Sequence, residues 1–244
     1  MDITGKSNPN IKTLRALYND KKYRYECGEY VVEGVTAVKD LPEENVKRVF
    51  IREDEWENLK GLFPFVPTYC VQKEIFDGVA DTKTPSGIIA VAKMPRPKAV
   101  FGETVLLLCG VSDAGNVGSL IRTAAARGVE TVICAGTADP YSPKTVRAGM
   151  GGHNYVNIVT SSDASEALKL IPEYKIAVLD MYGISIYGYR KVGKTAIALG
   201  NEAHGVPQEI KSRADIKLAL PMKQGTVESL NVACAGTAAL YLLN

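Results

Sequence analysis

Apolar positions follow two different rhythms, divided near residue 94. In the first part, Ile11, Leu14, Leu17 and Tyr18 recur at i, i+3, i+6 and i+7 behind a Ser-Asn-Pro entry, which predicts a helix over 10–19. Short apolar runs at 30–34, 46–51, 65–71 and 87–93 read as strands among polar, helix-compatible pieces, which together make a small α/β unit. The segment KMPRPKAV (93–100) alternates two prolines with basic residues and reads as a linker. Beyond it the pattern is regular: VLLLCGV (105–111), a glycine-rich turn, SLIRTAAARG (119–128) and VETVICAG (129–136). Strand, turn, helix, strand is a βαβ unit and predicts a parallel sheet. Further strands are expected at 155–160, 175–181, 195–200 and 216–221, with a helix at 162–171. The closing segment NVACAGTAALYLL is apolar nearly all the way round, so it should form a helix buried on more than one face. The expected division is a unit over 1–94, a linker over 95–100 and a parallel-sheet α/β unit over 101–244.

Composition narrows the class. Of 244 residues, 46% are hydrophobic and 23% charged, which excludes a disordered chain. A net charge of +2 argues against a uniformly basic nucleic-acid binder. The charge is not evenly spread, however: residues 1–24 hold Lys6, Lys12, Arg15, Lys21, Lys22 and Arg24 against Asp2 and Asp20, which is +4 and leaves −2 for the rest. A local phosphate-binding patch is compatible with that count, as is a solvated helix face. No apolar run approaches the roughly 18–20 residues of a membrane span, and the first residues lack the apolar core of a secretory signal, so a cytoplasmic protein is expected. Five scattered cysteines without a C-x-x-C pair, with only two histidines, point to no metal site and no disulfide framework, and are expected as buried thiols packing as small apolar groups.

Candidate chemistry sits in three loops, each after a predicted strand, where open α/β sheets bind ligands. The turn GVSDAGNVG (110–118) fits neither the G-x-G-x-x-G dinucleotide fingerprint nor the P-loop, since Gly115 is followed by Asn116 and Val117, so a nicotinamide oxidoreductase and an ATPase are both disfavoured. It offers Asn116 and Arg122, read alternatively as a helix cap and a surface charge. The second loop, ALGNEAHGV (198–206), carries Asn201 and Glu202; the third, LPMKQGTVESLNVACAG (220–236), carries Ser229 and Asn231 as candidate caps of the last helix.

NVGSLIRTAAARGV, GNEAHGV and LPM-x6-SLNV, in this order, resemble the three motifs of the SpoU/TrmH family of SPOUT RNA 2′-O-ribose methyltransferases. NPNIKTLRAL, YRYECGEYVVEG and DTKTPSGIIAV resemble the ribosomal-protein-like RNA substrate-binding domain that precedes the catalytic domain in many members. The resemblance implies a C-terminal trefoil-knotted domain, S-adenosylmethionine as methyl donor, a homodimer sharing parts of each active site, and an RNA substrate, with 23S ribosomal RNA favoured over transfer RNA. It places the cofactor against Gly200, Asn201, Leu220, Met222 and Leu230. It assigns catalysis to Arg122, Asn116, Ser229, Asn231 and Glu202, with helix capping open for Asn231 and loop ordering open for Glu202. Because an arginine pKa exceeds 12, Arg122 is better read as a phosphate ligand and alkoxide stabiliser than as a general base. RNA contacts are expected from Arg24, Lys12 and Lys22.

Two departures from the family pattern are visible. Asp113-Ala114-Gly115-Asn116 lacks the usual proline, and Arg147-Ala148-Gly149-Met150-Gly151 has glycine where many members carry serine. His153 and His204 read as ordinary loop or surface residues. The competing reading from a different class is a non-catalytic RNA-binding protein on the same scaffold, against which the retained Asn116, Arg122, Ser229 and Asn231 speak.

Overall fold

Polar and extended residues interrupt the N-terminal half so often that its elements are short. In the computed structural model, which describes residues 2–99, 101–223 and 225–243, they run β1 (Asp2–Ile3), α1 (Pro9–Asn19), α2 (Lys21–Cys27), β2 (Glu29–Glu33), α3 (Val35–Lys39), β3 (Val46–Arg52), α4 (Trp56–Leu59), β4 (Thr68–Val71), α5 (Lys73–Asp77) and β5 (Ile88–Lys93). The side chain of Asn8 caps α1, Pro9 occupies its first position, and Asp20 ends it while capping α2 through the Tyr23 amide. The predicted stripe Ile11, Leu14, Leu17 and Tyr18 is buried, packed in one cluster with Val31, Phe50 and Val71 of the sheet. That sheet is mixed, with strand order β1-β4-β3-β5-β2.

The second half alternates strands and helices: β6 (Thr104–Cys109), α6 (Ala114–Ala126), β7 (Thr131–Ala135), α7 (Pro143–Gly149), β8 (Asn157–Ser161), α8 (Ala164–Leu170), β9 (Lys175–Ser185), β10 (Thr195–Leu199), α9 (Gln208–Arg213), β11 (Ile216–Ala219) and α10 (Val232–Leu243). All six strands are parallel, in the order β11-β9-β10-β6-β7-β8. From β6 the chain steps outward to β7 and β8, then returns to β9, β10 and β11 on the other side. The loops leaving the adjacent central strands β6 and β10 therefore lie next to each other at the carboxyl ends of the strands, the position where such sheets open a ligand crevice.

The two sheets share no strand but do share a core. One apolar cluster extends from Tyr30 and Val32 through Tyr141 and Val146 to Leu106, Leu120 and Leu240. Asn157 straps the connecting segment to the second sheet, accepting from the Lys98 amide at 2.8 Å and donating to its carbonyl at 3.2 Å. Val100, the last residue of the expected linker, lies outside the described residues. No helix among the described residues is long and apolar enough to cross a membrane.

Several expectations require correction. The last helix buries Val232, Gly236, Ala239, Leu240 and Leu243 but leaves Tyr241 57% and Leu242 45% exposed, so in a single chain one apolar face stays open. Only Cys109 and Cys134 are buried thiols; Cys27 and Cys234 are exposed and Cys70 is half-buried. His153 is no surface residue: it lies 3% exposed beside the rings of Tyr30 and Tyr141 and bonds the Pro140 carbonyl at 2.8 Å. A Cβ at Gly149 would fall 2.6 Å from its ring, so the missing serine of the 147–151 segment leaves the space the imidazole fills.

Candidate active site

At the first loop Asp113, not Asn116, caps α6. Its carboxylate accepts the Asn116 amide at 2.9 Å and is held by Lys144 at 2.7 Å, and these donors keep it ionised below the usual carboxylate range. Relieved of capping, the Asn116 side chain points across to the other two loops. Its Nδ2 donates to Glu202 Oε1 at 2.8 Å, and its Oδ1 accepts from Asn231 Nδ2 at 3.0 Å.

Glu202 belongs to the loop after β10. Asn201 and Gly205 exchange backbone hydrogen bonds at 2.9 and 2.8 Å, and Asn201 ties the loop to the first one by donating to the Gly110 carbonyl at 2.9 Å. A Cβ on Gly200 would lie 2.1 Å from the Gly205 carbonyl carbon, so only glycine permits this turn. The second Glu202 oxygen accepts from Ser112, the amide at 3.3 Å and the hydroxyl at 3.1 Å. Partial burial alone would raise the Glu202 pKa, but the Asn116 and Ser112 donors outweigh it and hold the carboxyl below its ordinary value.

The third loop, from Leu220 to Leu230, forms neither strand nor helix among its described residues and ends at Asn231. Asn231 accepts the Ala233 and Cys234 amides at 2.9 and 3.2 Å, which caps α10, and also donates to Asn116, so the capping role and the site role coexist. Ser229 makes no capping bond; it is exposed and faces the cleft. Gly236 carries α10 close to the sheet, where a Cβ would meet Leu120 at 2.4 Å and Leu199 at 2.5 Å.

Between the second and third loops is a cleft of 680 Å³. Gly200, Asn201, Glu202, Leu220, Met222, Ser229, Leu230 and Asn231 all line it, so eight of the residues singled out from sequence converge there. Asn116 reaches it through Glu202 and Asn231. Arg122 does not. It stands six residues beyond Asn116 on α6, about 9 Å along the axis and some 240° round it, exposed beside a separate cavity of 310 Å³ with Met150, Gly151 and Tyr155. Met150 there is held at φ 42°, a left-handed conformation unusual for a residue with a side chain.

Of the expected RNA contacts, Lys12 and Lys22 are exposed. Arg24 is not available to solvent. Its guanidinium pairs with Asp139 at 2.5 Å and donates to the Leu17 carbonyl at 2.7 Å, and both side chains of the pair are under a tenth exposed. Tyr25 also donates to Asp139, at 3.0 Å. Arg24 thus ties α2 to the segment between β7 and α7 and presents no phosphate ligand.

Sequence reasoning passed over Ser112, Asp113, Asp180 and Lys211. Asp113 was recognisable as a preferred cap residue three positions before Asn116. Asp180 was recognisable as a carboxylate near the C-terminal end of an otherwise apolar strand. Ser112 and Lys211 carry no sequence signal of their own. Among the described residues no three His, Cys, Asp or Glu side chains group as metal ligands.

Comparison with known proteins matches residues 103–241 to the SpoU rRNA Methylase family and residues 8–90 to an MRM3-like substrate binding domain. The chain is 30% identical to the 23S rRNA (guanosine(2553)-2′-O)-methyltransferase of Bacillus subtilis, covering 99% of this chain and 98% of that protein. It is 27% identical to the 23S rRNA (uridine(2479)-2′-O)-methyltransferase of Streptomyces viridochromogenes, covering 96% and 88%. Among solved structures, the AdoMet-bound rRNA methyltransferase from Sinorhizobium meliloti superposes with a TM-score of 0.85 at 25% identity, covering 99% of this chain and 96% of that one.

Proposed function

The chain belongs to the SpoU rRNA methylase family, and from that premise we propose that it methylates a ribose 2′-hydroxyl of 23S ribosomal RNA, with S-adenosylmethionine as cofactor. The observation that carries this reading is the meeting of Asn116, Glu202 and Asn231, one from each of three loops, at a single cleft.

The residues present fit the cofactor. A cleft of 680 Å³ lies within the usual range for ligand sites, its irregular Leu220–Leu230 wall offers backbone polar groups outside any ladder, and Leu220, Met222 and Leu230 supply apolar surface for a flat ring. Gly200 and Asn201 would take it from the other side. S-adenosylmethionine supplies the methyl group when bound. The chain's own part is to position the acceptor oxygen: Asn116, Ser229 and Asn231 orient the ribose, and Glu202 holds the first and second loops in register. Arg122 binds the substrate phosphate and stabilises the alkoxide that develops as the hydroxyl loses its proton.

The placement of Arg122 away from the cleft supports a homodimer, in which the arginine of one subunit completes the site of the other. The open Tyr241 and Leu242 face of α10 supports the same reading. The chain runs to the outer strand β11 and comes back to seat α10 on β10 and α6, which supports the trefoil knot expected from the family. Residues 1–94 select the RNA, with Lys12 and Lys22 on their surface, and 101–244 hold the cofactor, in line with the two matched segments. The exposed thiols Cys27 and Cys234 suit a reducing, cytoplasmic setting. Mapping ribose methylation in total RNA from cells with and without the protein tests the activity. One 23S position should lose its methyl group on deletion; loss at a transfer RNA position, or no loss, overturns the substrate assignment.

A further inference from the structure

We propose that Asp180 and Lys211 recognise the amino acid end of the cofactor, the Asp180 carboxylate taking its α-ammonium and the Lys211 ammonium taking its α-carboxylate. This deepens the reading above and rests on it. Asp180 follows the buried stretch of β9 and Lys211 projects from α9, and both line the 680 Å³ cleft. Their side chains are 12% and 29% exposed, and Nζ stands 3.6 Å from Oδ2.

That distance is longer than a hydrogen bond. Among the described residues the other partly buried pairs are closed: Arg24 to Asp139 at 2.5 Å, Arg52 to Asp77 at 3.1 Å, and Arg48 to Glu29. Asp180 Oδ1 is occupied by the Tyr182 amide at 3.0 Å, while Oδ2 and the three Lys211 donors make no hydrogen bond to a described residue. Two opposite charges stand side by side on a cleft wall with hydrogen-bonding capacity to spare. A ligand group of one sign would be repelled by one member of the pair, whereas a zwitterion satisfies both.

The rest of the cleft agrees with this division. Leu220 and Leu230 form an apolar part suited to a base, and Glu202 with Asn231 marks the reacting part. Asp180 and Lys211 are then the charged part left for the zwitterion. Neither belongs to the three motifs, so the pair sets ligand choice in this chain separately from the chemistry.

The test is calorimetric, on the full chain, with two probes: S-adenosylhomocysteine and 5′-methylthioadenosine, which shares the thioadenosine but lacks the amino acid. Lys211→Gln and Asp180→Asn should each weaken S-adenosylhomocysteine by about tenfold to a hundredfold, the worth of a charged hydrogen bond, and change 5′-methylthioadenosine less than about twofold. Equal loss for both probes would assign the pair to the ribose or to folding, and no loss for either would make it a surface strut; both results overturn the proposal. Thermal melting of each variant accompanies the titrations, and because the substitutions lie on different elements, one misfolded variant leaves the other to decide. A wild-type chain that binds neither probe would instead overturn the cofactor assignment itself.

Discussion

The Asn231 side chain donates to Asn116 at 3.0 Å with its oxygen turned toward the amides of α10. The helix N-terminus thereby sets the direction of the whole relay: its amides demand the Asn231 oxygen, which leaves the Asn231 nitrogen for Asn116 Oδ1 and the Asn116 nitrogen for Glu202. Asn231→Asp separates the two roles. A carboxylate still caps α10, so melting should stay near wild type, whereas Asn231→Ala should lose about 1 kcal/mol. A carboxylate at 231 has no proton to give Asn116 Oδ1, and turning the Asn116 amide round to face it would withdraw Nδ2 from Glu202, so Asn231→Asp should still lower kcat at least tenfold. An active Asn231→Asp enzyme would reduce Asn231 to a cap.

Arg122 and the Asn116 cluster lie on different sides of α6 and beside different cavities. Arg122→Ala should therefore abolish turnover with S-adenosylhomocysteine affinity nearly intact. In the proposed dimer, co-expressing Arg122→Ala with Asn231→Ala chains creates heterodimers with one site intact and one doubly mutated. Random pairing puts half of the dimers in that class, so a quarter of wild-type activity should return. A mixture as inactive as its parents would place both residues in the same subunit's site.

How far the sequence reached depended on the kind of signal. Regular alternation around β6, α6 and β7 was legible because apolar runs of that length have few other uses, and the three loops were legible because each followed such a run. Helix α7 was missed because seven residues beginning at a proline show too little of a turn's periodicity, and α9 because it has only six. Arg24 misled because counting charge ignores helical phase: on α2 it is the buried residue, while Lys21 and Lys22 face water. The separation of Arg122 from Asn116 was present in their spacing, since six residues do not return to the same helical face.

Arg24 and the surface lysines should accordingly fail in different ways. Arg24→Met leaves Asp139 buried with only Tyr25 and the Tyr141 amide as donors, and should cost about 3–5 kcal/mol of stability in urea unfolding. Lys12→Gln and Lys22→Gln should leave the unfolding midpoint unchanged and weaken RNA binding. Each should reduce the slope of log affinity against log salt by about 0.7 for a single-stranded target. Wild-type RNA binding in the double lysine variant would move the RNA surface away from α1 and α2.

His153 ties acid sensitivity to the junction between the sheets. Burial lowers its pKa to about 4, against the stabilising pull of the Pro140 carbonyl and Asp139, and its Nδ1 has no hydrogen-bond partner among the described residues. Tyr30 and Tyr141 are the other polar side chains facing the ring. Between pH 4 and the ordinary value near 6.5, the unfolded chain holds a proton that the folded chain excludes, so stability must fall as pH falls through that window. The loss should be about 2 kcal/mol between pH 7 and pH 5, above the range where the lowered carboxylates Asp113 and Glu202 take up protons. His153→Leu, which fills the same space without a titrating group, should remove that part of the pH dependence while leaving stability at pH 7 within about 1.5 kcal/mol. Urea midpoints for both proteins at pH 7 and pH 5 decide the matter: parallel shifts in the two would assign the acid sensitivity to other groups.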